Sequence, residues 1–278
     1  MRITYLMVAT YIFDCVLIGT KPCKYFQLNS ATFNAEAGIF SKLDIDQLIP
    51  KKWRLQQSLL DDSAVPETYP VFVKPEWGQN SSGIIRVDDP QSLDEVRQRL
   101  STSPIKYLVQ QASTEQLEYE IFSIQHHQDK QQFAELSIAR VDNSTGPYPV
   151  NGIYNTDTIY RDITDQFTPD DKQRLWQLMC EIGRFGISRV GLRADSTENL
   201  LAGKFHVIEI NLFVPMPINM LDPRYGFFAL WRFVRRYMMS LARLTKARDK
   251  TLKEKRVFTK MMLYNRSSPV LNYFRDRI

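Results

Sequence analysis

Alternating apolar and polar residues dominate the middle of the chain, and helical spacing dominates its end. Val71-Phe-Val-Lys74-Pro75, β-branched and aromatic, predicts a strand ended by proline, and Ile84-Ile-Arg-Val87 predicts a second. A polar loop bounded by Gly78 and Gly83 joins them. Asp88-Asp-Pro90 reads as a turn, and Ser92 with Glu95 three residues on reads as a capping box opening a helix to about Leu100. Residues 107–111, 118–124 and 133–141 continue the strand pattern. Residues 142–167, rich in Asn, Gly, Pro, Thr and Asp, predict a long loop, and loops of that length inside a compact domain are usually functional or disordered. Thr168-Pro-Asp-Asp171 opens a helix with a cap, a first-turn proline and two acids, and Leu175, Trp176, Met179, Ile182 and Phe185 mark its buried face. Strands at 188–195 and 205–211 follow. Phe228, Trp231, Val234 and Met238 then predict a terminal helix. Residues 1–70 carry a weaker pattern: an apolar opening, a loop at Lys21-Pro22 and a helix around 53–60. The class is α+β.

Composition adds bounds. With 278 residues and 44% apolar content the chain can bury a core without disulfides or a structural metal. No repeat, low-complexity tract or apolar run of membrane-spanning length appears, which excludes fibrous, disordered and polytopic classes. The net charge of +5 is uneven: residues 224–278 carry 15 Lys+Arg against 3 Asp+Glu, so the basicity belongs to the end of the chain. An anionic partner or membrane surface fits such a tail, and so does a solvated helix face. Three cysteines, Cys15, Cys23 and Cys180, without CxxC spacing point to a reducing compartment and a cytoplasmic location. The apolar opening behind Arg2 imitates a signal peptide, but Asp14 interrupts it and no small-x-small site follows, so a buried N-terminal element is expected.

Candidate chemistry clusters on the strands. Lys74 ends one strand just before a Ser/Asn loop, where Ser81 and Ser82 hydroxyls and backbone N–H groups could cradle phosphate. Glu209-Ile-Asn211 puts a carboxylate and an amide on one strand face, a donor pair suited to Mg²⁺. Arg189, Arg193 and Asp195 share a face of the preceding strand, apparatus suited to phosphoryl chemistry. His126, His127 and His206 form no metal pattern, since neighbouring strand residues point to opposite faces. Glu118-x-Glu120 is too closely spaced for an inverting glycosidase pair.

Taken in order, strand–Lys74–Gly/Ser loop–strand–helix–strand–Gln110-Gln111–Glu118–long loop–helix–Arg189–Glu209-x-Asn211 resembles the ATP-grasp superfamily, most closely its D-alanine–D-alanine ligase-like branch, over residues 41–222. The resemblance implies two α+β lobes sandwiching ATP, with a shortened N-terminal segment (1–70), an ATP-grasp domain (71–246) and a basic helical C-terminal tail (247–278). It implies that Lys74, with Lys42 as a looser match, contacts the ATP phosphates. The loop with Ser81 and Ser82 would close over them, Gln110, Gln111 and Ala112 would present the hinge to adenine, and Glu118 would hold the ribose. Arg189, with Arg193, would stabilise the transferring phosphoryl group, and Glu209 and Asn211 would bind Mg²⁺. Two departures stand out. Glycine occupies position 191, where the family's R-x-D pattern has a second metal carboxylate, leaving Asp195 as the substitute. After Asn211, Leu212-Phe-Val-Pro-Met-Pro217 lacks the family's Pro-Gly turn. The implied activity is a carboxylate–amine ligase acting on small acid and amine substrates through an acyl phosphate. The alternative is a non-catalytic ATP-binding or assembly protein, and a homodimer is compatible with either.

Overall fold

Two antiparallel sheets face each other across a cleft. The computed structural model describes residues 2–61, 63–78, 81–146, 148–152, 155–248 and 254–267. The first sheet has strands β1 (Gln57–Leu59), β2 (Val71–Pro75), β3 (Ile85–Val87) and β4 (Tyr107–Gln111) in the order β1-β4-β2-β3. Period-two alternation puts Val71, Val73 and Val109 on its outer face, against Leu93 and Val96 of helix α3 (Pro90–Leu100). Phe72, Lys74 and Gln110 therefore face the cleft.

The second sheet orders β5 (Leu117–Gln125), β6 (Phe133–Asn143), β7 (Thr158–Asp162), β8 (Ile187–Ala194) and β9 (His206–Asn211) as β7-β6-β5-β8-β9. One face is mostly apolar: Tyr119, Ile121, Ile138, Val190 and Leu192 pack in one core with Leu175, Leu178 and Met179 of α4 (Pro169–Ile182) and Leu200 of α5 (Thr197–Leu201), and the Ser123 and Ser188 hydroxyls on that face bond to each other at 3.1 Å. The other face is divided. Phe122, Ile124 and Ile187 at one end lie under α1 (Arg2–Leu17) and α6 (Phe227–Ala247), while the opposite end carries Glu118, Glu120, Arg189 and Arg193 into the cleft. A bulge in β9, where Gly191 pairs with Glu209 but Leu192 pairs with Val207, sends Val207 into the core and Glu209 into the cleft.

Several expectations are corrected. Residues 53–60 hold no helix: Trp53 sits in a turn, and Gln57–Leu59 form β1, because pairing with β4 outweighs the local helical spacing. The loop at 142–167 contains β7, built from the β-branched and aromatic Thr-Ile-Tyr. Helix α3 is capped by Asp89, whose carboxylate accepts from the Ser92 N–H with Pro90 in the first turn, so Ser92 lies inside the helix. The Thr168/Asp171 capping box of α4 forms as the sequence implies. In α6 the buried face is Val234, Tyr237, Met238 and Leu241, while Phe228 and Trp231 stay exposed. The N-terminal α1 is buried on one side only, with Met7, Tyr11 and Cys15 packed on α6 and Tyr5, Phe13, Val16 and Leu17 outside. No helix among the described residues is long and apolar enough to cross a membrane.

The basic tail also divides. Residues 249–253 and 268–278 lie outside the described residues. Helix α7 (Val257–Ser267) instead belongs to the main core, burying Val257 and Met261, and Asn265 accepts from the Trp77 indole at 3.1 Å.

Trp53 links the first sheet's entry to the second. It is 1% exposed, stacks on Phe205 at 4.7 Å and donates to the Gly203 carbonyl at 2.7 Å. Trp53→Ala should lower stability by about 3–5 kcal/mol in urea denaturation. An unchanged midpoint would contradict this packing.

Candidate functional site

The cleft between the sheets encloses about 980 Å³, counting its open mouth. The first sheet contributes Phe72, Lys74 and Gln110, and the second contributes Glu118, Glu120, Arg189, Arg193 and Glu209; Tyr160 and Ile218 close one end. A second cleft of about 480 Å³, on the outer face of the first sheet, has one ionisable lining residue, Glu67, and little to offer catalysis.

Lys74 is 5% exposed, and its ammonium donates to the Ile208 carbonyl at 3.4 Å. Burial, reinforced by the neighbouring Lys42 charge and opposed by Glu209 and Asp46, pushes its pKa down to about 7. Lys42 opens the short helix α2 (Lys42–Asp46), whose cap is Ser41. Its ammonium donates to the Gly78 carbonyl at 3.2 Å and lies 3.5 Å from Glu209 Oε1. Lys42 thus reaches the start of the Gly/Ser loop beside Lys74. Ser81, at φ 58, donates to the Asn151 carbonyl and joins that loop to the long one.

The carboxylates show contrasting states. Burial, together with Glu120 and against Asn151 and Arg193, raises Glu118 to about 7, and Asn151 Nδ2 donates to it at 2.8 Å. Burial also raises Glu120, with Arg189 opposing. For Glu209 burial is outweighed by Lys42, Lys74 and Arg189, so its pKa falls. Arg189 Nε lies 3.2 Å from Glu120 Oε2, but the angle makes no hydrogen bond, so both atoms are buried without a hydrogen-bond partner. Arg193 donates to the Gln116 carbonyl at 2.9 Å.

The cleft wall therefore unites Lys74, Ser81, Gln110, Gln111, Glu118, Arg189, Arg193 and Glu209. Asn211 follows Glu209 on β9 and pairs in register with Arg189. Ala112 is buried just past β4, and Ser82 lies in the turn after Ser81; neither side chain lines the cleft. Asp195 is not brought to the site: it is exposed beyond the end of β8 and accepts from the Gln116 N–H at 3.2 Å. Its alternation with Arg193 is lost where the strand ends. His126 and His127 lie in the turn after β5 with rings 4.6 Å apart, rather than on opposite faces of a strand, and His206 pairs with Glu115 at 2.7 Å. Among the polar residues lining the cleft, Ser113, Glu120, Asn151 and Tyr160 escaped the sequence reading. Glu120 was legible only as half of a carboxylate pair, Tyr160 was hidden in a polar stretch, and Asn151 carries no local signal.

No protein-family model matches the sequence, and no curated protein matches it. Solved structures do. The VanG D-Ala:D-Ser ligase from Enterococcus faecalis is similar with a TM-score of 0.50 and 14% identity, over 78% of this chain and 70% of that one. D-alanine–D-alanine ligase from Bacillus anthracis, complexed with ATP, gives 0.48 and 14%, over 74% of this chain and 65% of that one. L-amino acid ligase from Bacillus licheniformis gives 0.44 and 16%, over 79% and 50%. The chain thus spans about half the length of the last and 65% of the Bacillus anthracis enzyme. At such identities the likeness is one of architecture. The chain has an α+β ATP-grasp fold of the D-alanine–D-alanine ligase-like type.

Proposed function

We propose that the chain is an ATP-dependent carboxylate–amine ligase. One observation carries this reading: Lys74, Arg189 and Arg193 converge with Glu118 and Glu209 on facing walls of one cleft between two sheets. Lys74, with Lys42 beside it, takes the inner phosphates as point charges, and the Ser81–Ser82 turn covers them. Backbone atoms at Gln110, Gln111 and Ala112 meet adenine, and Glu118 accepts from the ribose hydroxyls. Arg189 and Arg193 neutralise the phosphoryl group as it moves, where preorganised charge does most of the catalytic work.

The donor set fits Mg²⁺. A carboxylate and an amide oxygen, Glu209 and Asn211, are hard oxygen ligands, and a magnesium ion completes its shell with phosphates and water. Among the described residues no three His, Cys, Asp or Glu side chains are grouped to hold a metal. Bound there, it would supply charge neutralisation along the triphosphate.

In the reaction, a carboxylate oxygen of the acid substrate attacks the γ-phosphorus and the bond to the bridging oxygen breaks, releasing ADP. The amine nitrogen then attacks the acyl carbon, phosphate leaves and the amine's proton passes to solvent or phosphate. Arg189 and Arg193 hold the phosphoryl oxygens through both steps. Gly191 favours a second reading, a nucleotide binder without turnover.

Substrate-stimulated ADP release from Mg-ATP, across a panel of amino acids and small carboxylic acids with amine acceptors, separates the two. The ligase reading expects release above background for at least one pair. ATP binding with no stimulated release by any pair would favour the binder.

Lys74 gives a second test. With its pKa near 7, it is mostly neutral at pH 8 in the free protein. A polyphosphate beside it favours the charged form and raises that pKa, so ATP binding at pH 8 should draw a proton from solution. Calorimetry in buffers of different ionisation enthalpy reads this uptake. Lys74→Met should abolish it and weaken ATP by about 1.5–3 kcal/mol. Equal affinity and equal proton uptake in the variant would remove Lys74 from the phosphate site.

A further inference from the structure

Gly191 looks like a loss, but the sheet register gives it a use. Glu120 on β5 pairs with Gly191 on β8, and Gly191 pairs with Glu209 on β9, so the two glutamates straddle the glycine in one row on the cleft face. Their backbones stand two strand spacings apart, about 10 Å, and the missing side chain between them leaves room for the Glu120 carboxylate over Gly191, while Glu209 reaches toward Lys42. A Cβ at position 191 would come within 3.2 Å of Glu120 Oε1 and 3.4 Å of Ile208 Cγ1. The backbone there is not in the left-handed region, so conformation does not demand glycine. Space does.

We infer that Glu120 and Glu209 together hold one divalent cation above Gly191, and that Gly191 is the floor of this site. This inference rests on the nucleotide reading of the cleft. In the free protein each carboxylate faces a side-chain cation: Glu120 faces Arg189 at 3.2 Å, and Glu209 faces Lys42 at 3.5 Å. Glu120 Oε2 nevertheless has no hydrogen-bond donor, which leaves a buried oxygen with unused acceptor capacity. A triphosphate entering the cleft gives Arg189 and Lys42 a more highly charged anion. The two carboxylates would then stand against the same triphosphate, a repulsion that a hard divalent cation removes. Two carboxylates plus phosphate oxygens are the ligand set such an ion prefers. Asp195, exposed past the strand end, is not needed.

The test uses the full chain, Mn²⁺ as the probe and a non-hydrolysable ATP analogue, with bound metal counted by electron paramagnetic resonance and folding checked by circular dichroism. Glu120→Gln should weaken Mn²⁺ binding to the nucleotide-loaded protein by about tenfold or more. Gly191→Ala should weaken it by a smaller factor, because the new methyl group displaces Glu120. The double variant Glu120→Ala/Gly191→Asp, which moves the carboxylate to the floor, should recover most of the affinity. A Glu120 that merely tethered Arg189 would leave the manganese affinity unchanged in all three. If Glu120→Gln binds Mn²⁺ as tightly as the wild type while both bind the analogue, this inference falls and the nucleotide reading stands. If the wild type binds no analogue, both fall.

Discussion

Charge compensation in a buried cleft is the constraint on which the rest depends. Lys74 and Arg193 are buried, and Glu118, Glu120, Arg189 and Glu209 half-buried, between two sheets, and ions so placed are tolerable only when opposite charges face them. Arg189 therefore sits against Glu120, and Lys42 against Glu209. Where compensation is incomplete the charges weaken: Lys74 and Glu118 are both drawn to about 7. A site of this kind stores the electrostatics of its ligand in advance. A polyanion with a divalent cation supplies the partners that the protein's own groups supply to one another in its absence.

The fold serves this arrangement by separating faces. Strict alternation in β2, β5 and β8 sends valine, isoleucine and leucine to the helices and the ionised groups to the cleft, and the β9 bulge corrects the one strand whose alternation would have buried Glu209. Helices α3 and α4 cover the outer faces of the two sheets and α1 and α6 one end of the second sheet's inner face, so the rest of the inner faces is left to chemistry. The long loop is tied in by polar contacts: Asn151 bonds Glu118 and receives Ser81, coupling the cover of the cleft to its floor.

Most strands were legible because their signals are local. Val71–Pro75 and Tyr107–Gln111 combine β-branched or aromatic residues with clear boundaries, and the Thr168 capping box announces α4. The residues of the site were legible as types on strands, and the alternation rule placed Arg189, Arg193, Glu209 and Asn211 on one face. What escaped was non-local. Glu120 gains its meaning from Gly191, which lies opposite it only in the sheet. The helical spacing at 53–60 yields to pairing with β4, and α7 joins the core through Val257 and Met261 although its surrounding sequence is basic. Asp195 failed for a simple reason: alternation was extended one residue past the end of β8.

Everything proposed for the cleft requires nucleotide to bind between the two sheets. Hydrogen–deuterium exchange with and without Mg-ATP tests it most directly, since backbone on both walls should be ordered together. Nucleotide bound there should add protection in residues 71–75 and 107–113 of the first sheet and in 189–193 and 206–211 of the second. Protection confined to residues 64–68, around the outer cleft, or absent at saturating nucleotide, would contradict it.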